Sequence, residues 1–408
     1  MNEEKFKQAI SQYSTPFYLF DVDILDRQIE KIRAALGKDV GLCYAMKANP
    51  FIIKDLENTV DCLEVCSPGE LHICERAGIP MDKIILSGVY KKAEDLEYAL
   101  HQYGNQILYT AESLSHWQIL EGYAKAHQLP LRVLLRLTSG NQFGMDETLV
   151  RQIIGERMKE SAGDDLIHIE GIHFFSGTQK KSAAKFEREL TMLDTLCADL
   201  KEQYGFTAEK LEYGPGLPIY YFEEEKDEED EMLHSLALLI KKLKFTGKIT
   251  LEMGRFIAAS CGSYVTGVVD TKINKNQPYC IVDGGMHHIN YYGQMLAMKK
   301  PPILHLDKRD GETLEWTVCG SLCTVNDVLV KQYPFTDLRA GDTLIFEKTG
   351  AYSVTEGISL FLSRELPQVI LYSQKSNFRV AREHFPADAL NYFQPSENNK
   401  TLKNGSSH

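Results

Sequence analysis

One lysine, one carboxylate–arginine pair and several turns of small residues stand out from the 408-residue chain as groups that could do chemistry. Lys47 lies in CYAMKANP (43–50), where apolar residues alternate (Leu42, Tyr44, Met46) up to a lysine, and small and helix-breaking residues follow at once. Glu252 and Arg255 share the run LEMGR, and the small turns are Ser67, Ser87-Gly88, Ser176-Gly177-Thr178 and Gly214-Pro215-Gly216. A lysine whose ammonium is partly desolvated can release its proton and condense with an aldehyde. Hydroxyls and the backbone N–H groups of glycine turns bind phosphate dianions. A carboxylate facing a pyridine nitrogen keeps that nitrogen protonated and makes the ring an electron sink. Taken singly, each feature has a plainer reading: a lysine snorkelling from a strand end, glycines making turns, a surface Glu–Arg pair.

The elements that must position these groups repeat one theme from about residue 40 to 255. Eight β-rich runs (GLCYAMKA, CLEVCS, KIILSG, QILYTA, RVLLRL, IEGIHFFS, KLEYGP and KITLEMG) alternate with stretches whose apolar residues recur at three- and four-residue spacing. That pattern predicts an α/β fold built on a closed, TIM-like (β/α)8 barrel, with an open doubly wound sheet as the alternative. Beyond residue 255, runs such as GSYVTGVVDT, YCIVDGG, LEWTVCG and DTLIFEKTG are β-branched or aromatic and have no helical period between them, which predicts a mainly antiparallel β domain. The expected division is a barrel over 22–257, a β domain formed by 1–21 and 258–375, and a C-terminal extension over 376–408 ending in a polar tail. The acidic run EEEKDEED (223–230) reads as the solvated start of a helix that continues into MLHSLALLIKKLK.

In such a barrel, functional groups gather where strands end at their C-terminal side. Lys47 ends the first strand, Ser67 the second, Ser87-Gly88 the third, Arg136 the fifth, Ser176-Gly177-Thr178 the sixth, Gly214-Pro215-Gly216 the seventh, and Glu252 with Arg255 the eighth. An amine for an aldehyde, a carboxylate for a pyridine and loops for a phosphate therefore share one rim. Aldehyde, pyridine and phosphate together make pyridoxal 5′-phosphate.

Composition narrows the setting. With 45 basic against 57 acidic residues the net charge is −12, which argues against nucleic acid or an anionic membrane as the main partner. No apolar run approaches the ~18 residues of a membrane span and no export signal is evident, so the nine cysteines are expected to be thiols of a cytoplasmic protein. Cys62, Cys66 and Cys74 lack the paired spacing of a zinc site, and His287-His288, if on a strand, would point to opposite faces, so no metal is expected.

The motifs resemble those of the fold type III pyridoxal-phosphate decarboxylases, the family of diaminopimelate, ornithine and arginine decarboxylases, from STPFYLFD (14–21) to about residue 372. YAMKAN is similar to the family's lysine strand, which implies that Lys47 carries the cofactor as a Schiff base. GIHFFSGTQ resembles the HIGSQ-type phosphate strand, placing Thr178 at the phosphate. EYGPGLP resembles the glycine-rich loop (Gly214, Gly216). LEMGR resembles E-P-G-R, giving Glu252 to the pyridine nitrogen and Arg255 to the phosphate side. DGGMH, CGSLCTVND and GAY resemble the C-terminal signatures; they imply Asp283 near the substrate, Cys323 as the active-site thiol and Tyr352 at the phosphate. The family has an alanine-racemase-like two-domain architecture and completes its sites across a head-to-tail homodimer. The resemblance therefore implies that the Cys323 loop serves the partner chain, and that the N-terminal strand joins the β domain.

Departures from the pattern bear on the substrate. Phe175 stands where a histidine often stacks on the pyridine; a phenyl ring can stack but not hydrogen-bond. Pro215 replaces a glycine and lacks an N–H. Thr324 follows Cys323 where diaminopimelate decarboxylases carry a glutamate for the distal ammonium, and losing such a charge-assisted bond costs ~1.5–3 kcal/mol. DGGMHHINYYGQ lacks the arginine that grips the distal carboxylate there; Tyr291 or Tyr292 occupies that neighbourhood, and His287 or His288 is expected to line the pocket. LTSGNQFGMDE (137–147) is a shorter link than in diaminopimelate enzymes. The L-C-T sequence and QFGMDE resemble a specialised-metabolism branch acting on carrier-protein-tethered or siderophore-type amino-acid intermediates. The resemblance thus implies a decarboxylase that removes an amino acid's α-carboxylate, with Cys323 of a partner chain as proton donor. The alternatives are a free diamino-acid substrate (diaminopimelate, lysine or ornithine), an amino-acid racemase, and a non-catalytic cofactor-binding homologue.

Overall fold

The computed structural model describes residues 1–160 and 166–392, so the polar tail expected at 396–408 lies outside the described residues. A first strand, β1 (Phe17–Asp21), and the helix Val22–Leu36 lead into eight parallel strands: β2 (Gly41–Ala45), β3 (Cys62–Val65), β4 (Ile84–Leu86), β5 (Leu108–Ala111), β6 (Leu131–Leu137), β7 (Ile167–Phe175), β8 (Lys210–Gly214) and β9 (Lys248–Met253). They close into a barrel in sequence order, with β9 pairing back onto β2. All eight expected runs form strands, and the open-sheet alternative falls.

Period-two alternation divides the side chains of these strands. One set (Leu42 and Tyr44, Leu63 and Val65, Ile172 and Phe174, Leu211 and Tyr213) joins the large core formed with the surrounding helices. The other set fills the barrel: Cys43, Cys62, Ile85, Leu108 and Leu134 form a separate apolar layer. Two residues further along its strand, Glu64 follows Cys62 on the same inward face. The barrel floor is therefore apolar, and its mouth is walled by buried polar residues, among them Glu64, Glu112, Arg136, His173 and Glu252.

The rest of the chain forms a second, mostly antiparallel sheet from β10 (Gly262–Asn274), β11 (Gln277–Val282), β12 (Ile303–His305), β13 (Thr313–Cys319), β14 (Val328–Thr336), β15 (Thr343–Glu347), β16 (Gln368–Ser373) and β17 (Asn377–Arg382). Its order is β14-β13-β11-β10-β1-β16-β17, with β15 pairing β10 and β12. The N-terminal strand β1 is thus inserted between β10 and β16, antiparallel to one and parallel to the other. No helix among the described residues is long and apolar enough to cross a membrane.

The acidic run differs from expectation. The helix begins at Glu229, and Glu225 precedes it as a local clasp, accepting from the N–H groups of Tyr221 (3.0 Å) and Phe222 (3.3 Å). Those short-range bonds compete with helix formation and delay its start.

His287 and His288 also depart from expectation. They sit in a turn after β11, not on a strand, and their ring centroids lie 3.7 Å apart. His288 is committed to the Tyr264 hydroxyl (3.0 Å) and the Glu365 carbonyl (2.8 Å), so the pair offers no shared metal position. Burial pushes His287 down to about 4 and His288 to about 3 from an ordinary 6.5. Below about pH 6.5 the unfolded chain takes up protons that the folded rings refuse, so stability falls as pH drops, by about 1.4 kcal/mol per pH unit per ring. Replacing His287 by Leu should remove about one proton's share of that slope, read by urea unfolding at about pH 5 and pH 7. An unchanged slope would mean that His287 is not held neutral.

Candidate active site

Strand β2 stops at Ala45, and Lys47 occupies the single 3-10 turn Met46–Ala48 that follows, past the strand end where it was expected. Pro50 and the Asn49 side chain, which accepts from Phe51 N–H at 3.0 Å, start the next turn and so break the strand early. The Lys47 side chain leans back over the barrel mouth and keeps 38% exposure. Its ammonium lies 2.7 Å from Glu64 Oε2, 3.6 Å from Glu252 Oε1 and 3.7 Å from Cys66 Sγ. Burial favours loss of its proton, but the two carboxylates outweigh burial and hold the ammonium well above the ordinary lysine range.

The carboxylates are not equivalent. Glu252 receives His173 Nε2 at 3.0 Å on its second oxygen. Burial opposes its charge, yet Lys47 and His173 prevail and keep the carboxyl below the usual range. Glu64, only 1% exposed, is pushed up by burial first and by the charge of Glu252 next. Neither Glu64 nor His173 was singled out from the sequence. The period-two pattern of CLEVCS and GIHFFS carries the signal, since it places Glu64 on the face of Cys62 and His173 on that of Phe175.

One cavity gathers Lys47, Phe175, Thr178, Gly216, Glu252, Arg255 and Tyr352. Arg255 is 8% exposed; it donates to the Tyr221 hydroxyl at 3.0 Å and stacks on Tyr352 (4.5 Å) and Tyr292 (4.8 Å). Its Nε has no partner, and among the described residues no carboxylate lies within ion-pairing distance of it. A buried guanidinium without a counter-anion is costly, and a phosphate or carboxylate would complete it. Burial pushes the Tyr352 hydroxyl up to about 12, so it stays a neutral donor.

The loops beside the arginine are fastened to one another. Gln179 donates to the Ile219 carbonyl (2.9 Å) and accepts from its N–H (2.7 Å), and Lys180 N–H donates to the Gly216 carbonyl (2.9 Å). Gly216 takes φ +62°, and a Cβ there would meet the Gly177 carbonyl at 2.0 Å. Behind the loops, Glu189 on the helix Ala183–Tyr204 collects the Ser176 hydroxyl (2.5 Å), Lys180 Nζ (2.7 Å) and the Tyr213 hydroxyl (2.6 Å). Thr178, Tyr352, the loop N–H groups and the arginine, which line the cavity, fit a phosphate. The lysine and Glu252 fit an aldehyde-bearing pyridine.

Several expected residues lie elsewhere. Ser67 caps the helix Pro68–Ala77, accepting from Glu70 N–H at 3.2 Å. Gly214 packs against the Phe175 ring, which a Cβ would strike at 2.5 Å. Arg136 is paired with Glu112 at 2.9 Å, and Lys91 approaches the same carboxylate at 3.6 Å. Asp283 is engaged by the hydroxyls of Thr15 (2.5 Å) and Thr266 (2.6 Å) and by Gly267 N–H (3.0 Å), tying β1's approach to β10. Tyr291 donates to the Glu347 carbonyl, so Tyr292 and not Tyr291 is the tyrosine over the arginine. His287 is buried with both ring nitrogens unpartnered.

Cys323 and Thr324 sit on a loop of the β domain, away from the Lys47 cavity of their own chain. Cys323 is exposed, and Val325 beside it is 92% exposed. Asp327 holds the loop in shape by accepting from Leu322 N–H and Met286 N–H, each at 2.8 Å. Its closeness to Gly320 and Gly285 leaves no room for a Cβ at either.

The sequence model of the family described as "Pyridoxal-dependent decarboxylase, pyridoxal binding domain" matches residues 22–259. The chain is 26% identical, over 96% of either length, to the L-glutamyl-[BtrI acyl-carrier protein] decarboxylase of Niallia circulans. It is 27% identical to the 2-[(L-alanin-3-ylcarbamoyl)methyl]-2-hydroxybutanedioate decarboxylase of Staphylococcus aureus, over 88% of this chain and 94% of the other. A solved structure of Helicobacter pylori diaminopimelate decarboxylase with L-lysine matches with a TM-score of 0.81 at 24% identity, covering 94% and 98% of the two chains.

Proposed function

Because this chain belongs to the pyridoxal-dependent decarboxylases, we propose that it removes the α-carboxylate of an amino-acid intermediate whose distal part carries no ammonium for the protein to grip. The buried, anion-less Arg255 beside the Lys47–Glu252 pair is the observation that supports the reading most directly. When bound, pyridoxal 5′-phosphate supplies an electron sink for the pair released as CO2 departs. Arg255, Thr178 and the Gly216 loop would hold its phosphate, Glu252 its ring nitrogen, Phe175 its ring face, and Lys47 the aldehyde carbon. His173 keeps Glu252 oriented and charged, which holds the ring nitrogen's proton in place.

The proton that replaces the lost carboxylate would come from the partner subunit's Cys323, a thiol being mostly protonated at neutral pH. The exposure of Cys323 and Val325 in the single chain suits a homodimer in which each β-domain loop closes the other chain's cavity. Thr324 offers no carboxylate at that position, and Asp327 is taken up by the N–H groups of Leu322 and Met286, which disfavours diaminopimelate, lysine and ornithine and suits a carrier-tethered or siderophore-type intermediate. By name, the Niallia circulans relative acts on a glutamyl group borne by an acyl-carrier protein, and the Staphylococcus aureus relative on an alanin-3-ylcarbamoyl derivative of 2-hydroxybutanedioate.

Incubation of the purified protein with a carrier-bound aminoacyl thioester, a citrate-amide amino acid and free diamino acids, followed by mass spectrometry, tests this. Loss of the mass of CO2 is expected from the first or second class. Turnover confined to the diamino acids would overturn the substrate assignment, and racemisation without CO2 release would overturn the reaction.

A further inference from the structure

The family reading uses one carboxylate beside the lysine, yet the structure sets two there, with ligand-type atoms of Glu64, His173 and Glu252 all within 4.8 Å of one another. We propose that Glu64 is the proton acceptor of Lys47: it takes the ammonium proton from Nζ when the amine must act as a nucleophile and later gives it back, while Glu252 stays ionised. The inference deepens the function proposed above and concerns the same lysine.

Geometry makes the assignment. Lys47 Nζ is in hydrogen-bond contact with Glu64 Oε2 at 2.7 Å but stands 3.6 Å from Glu252 Oε1. Glu252 also has His173 Nε2 at 3.0 Å, and an ionised Glu252 accepts there from the ring N–H. Glu64 has no such donor among its contacts. The other groups facing the ammonium are Cys66 from the end of β3 and Tyr352 from the β domain. Glu70, on the helix behind, is occupied by Cys66 N–H at 2.6 Å. Like charges this close drive proton affinities apart, pushing Glu64 up, while Lys47 and His173 hold Glu252 down. Paired carboxylates with such divergent affinities mark one as a proton carrier and the other as a fixed charge.

The step balances without another reactant. An N–H bond at Lys47 Nζ breaks and an O–H bond forms at Glu64 Oε2. The freed electron pair attacks an aldehyde carbon. The aldehyde oxygen takes that proton from Glu64 and a second one from Nζ through the same carboxylate, and leaves as water, so that Nζ keeps one proton on its new double bond to carbon and Glu64 is ionised again. A carboxylate that served only as the ammonium's counter-charge would have the opposite consequence on removal, since the lysine would then lose its proton more easily.

That opposition supplies the test. The full chain, dialysed free of any bound cofactor, is treated with formaldehyde and cyanoborohydride, and methylation of Lys47 is timed by peptide mass spectrometry across pH. The parent rate should rise with pH as Glu64 ionises, in the neutral range, and then level. Glu64→Gln should methylate Lys47 about 10²-fold more slowly at neutral pH and lack the levelling. Glu64→Asp should lie between, its carboxylate being one methylene short.

A Glu64→Gln rate equal to or above the parent's would overturn the proposal. Should Glu64→Gln fail to fold, an intermediate Glu64→Asp rate still supports it, and a parental rate for Glu64→Asp overturns it. Because formaldehyde reports on the lysine alone, a Glu64-dependent rate in a protein that takes up no pyridoxal phosphate would sink the proposed function and leave this inference standing.

Discussion

Lys47→Ala is expected to purify without the visible absorbance of bound pyridoxal 5′-phosphate and to lose at least about 10³-fold in kcat. Two effects add. The amine that joins the aldehyde is gone, and so is the cation that lies between Glu64 and Glu252. Without it the two buried carboxylates cannot both stay ionised at neutral pH, and Glu64, the one pushed up, takes a proton that alters the mouth facing the cofactor. The substitution shortens a side chain at the barrel mouth, where 38% of it already meets solvent, so the fold should survive. Absorbance spectra after incubation with cofactor and desalting give the readout, with circular dichroism as the check on folding. A retained band at parental intensity would remove the lysine from the assigned role.

The second large effect is on Cys323. Cys323→Ala should lower turnover by about 10²-fold or more while leaving cofactor absorbance intact, because the Cys323 loop lies outside the Lys47 cavity of its own chain. Mixing offers the decisive measurement. When Cys323→Ala and Lys47→Ala chains are unfolded together and refolded, half of the random dimers are mixed. Each mixed dimer has one site with both residues intact, so about a quarter of parental activity should return. If the mixture stays as inactive as its components, the site is not shared between chains.

Both predictions rest on residues that the sequence already marked, and the reasons some others were not marked are instructive. The eight strands were legible because each is a short β-rich run between helix-period stretches. The cavity-lining set Lys47, Thr178, Gly216, Glu252, Arg255 and Tyr352 was legible because each belongs to a motif. Glu64 was hidden inside an apolar run that reads as plain strand; only closure of the barrel brings it against Lys47. Asp283 and Arg136 illustrate the reverse. A motif suggested the cavity for Asp283, and a strand end left Arg136 either an ion-pair partner or a support behind the cofactor. Thr15 and Thr266 claim one, and Glu112 pairs with the other. Such partners come from distant chain segments or neighbouring strands, and no local pattern announces them. The two adjacent histidines would face apart on a strand, whereas the glycines of DGGMH allow a turn that brings their rings to 3.7 Å.

Glu189 carries a consequence for how such a chain can change. It fastens Ser176, Lys180 and Tyr213 from the helix side, so the loops after β7 and β8 keep their shape without help from whatever lies in the cavity. The rim is therefore already set when it is empty, and filling it demands little of the ordering that slack loops would cost.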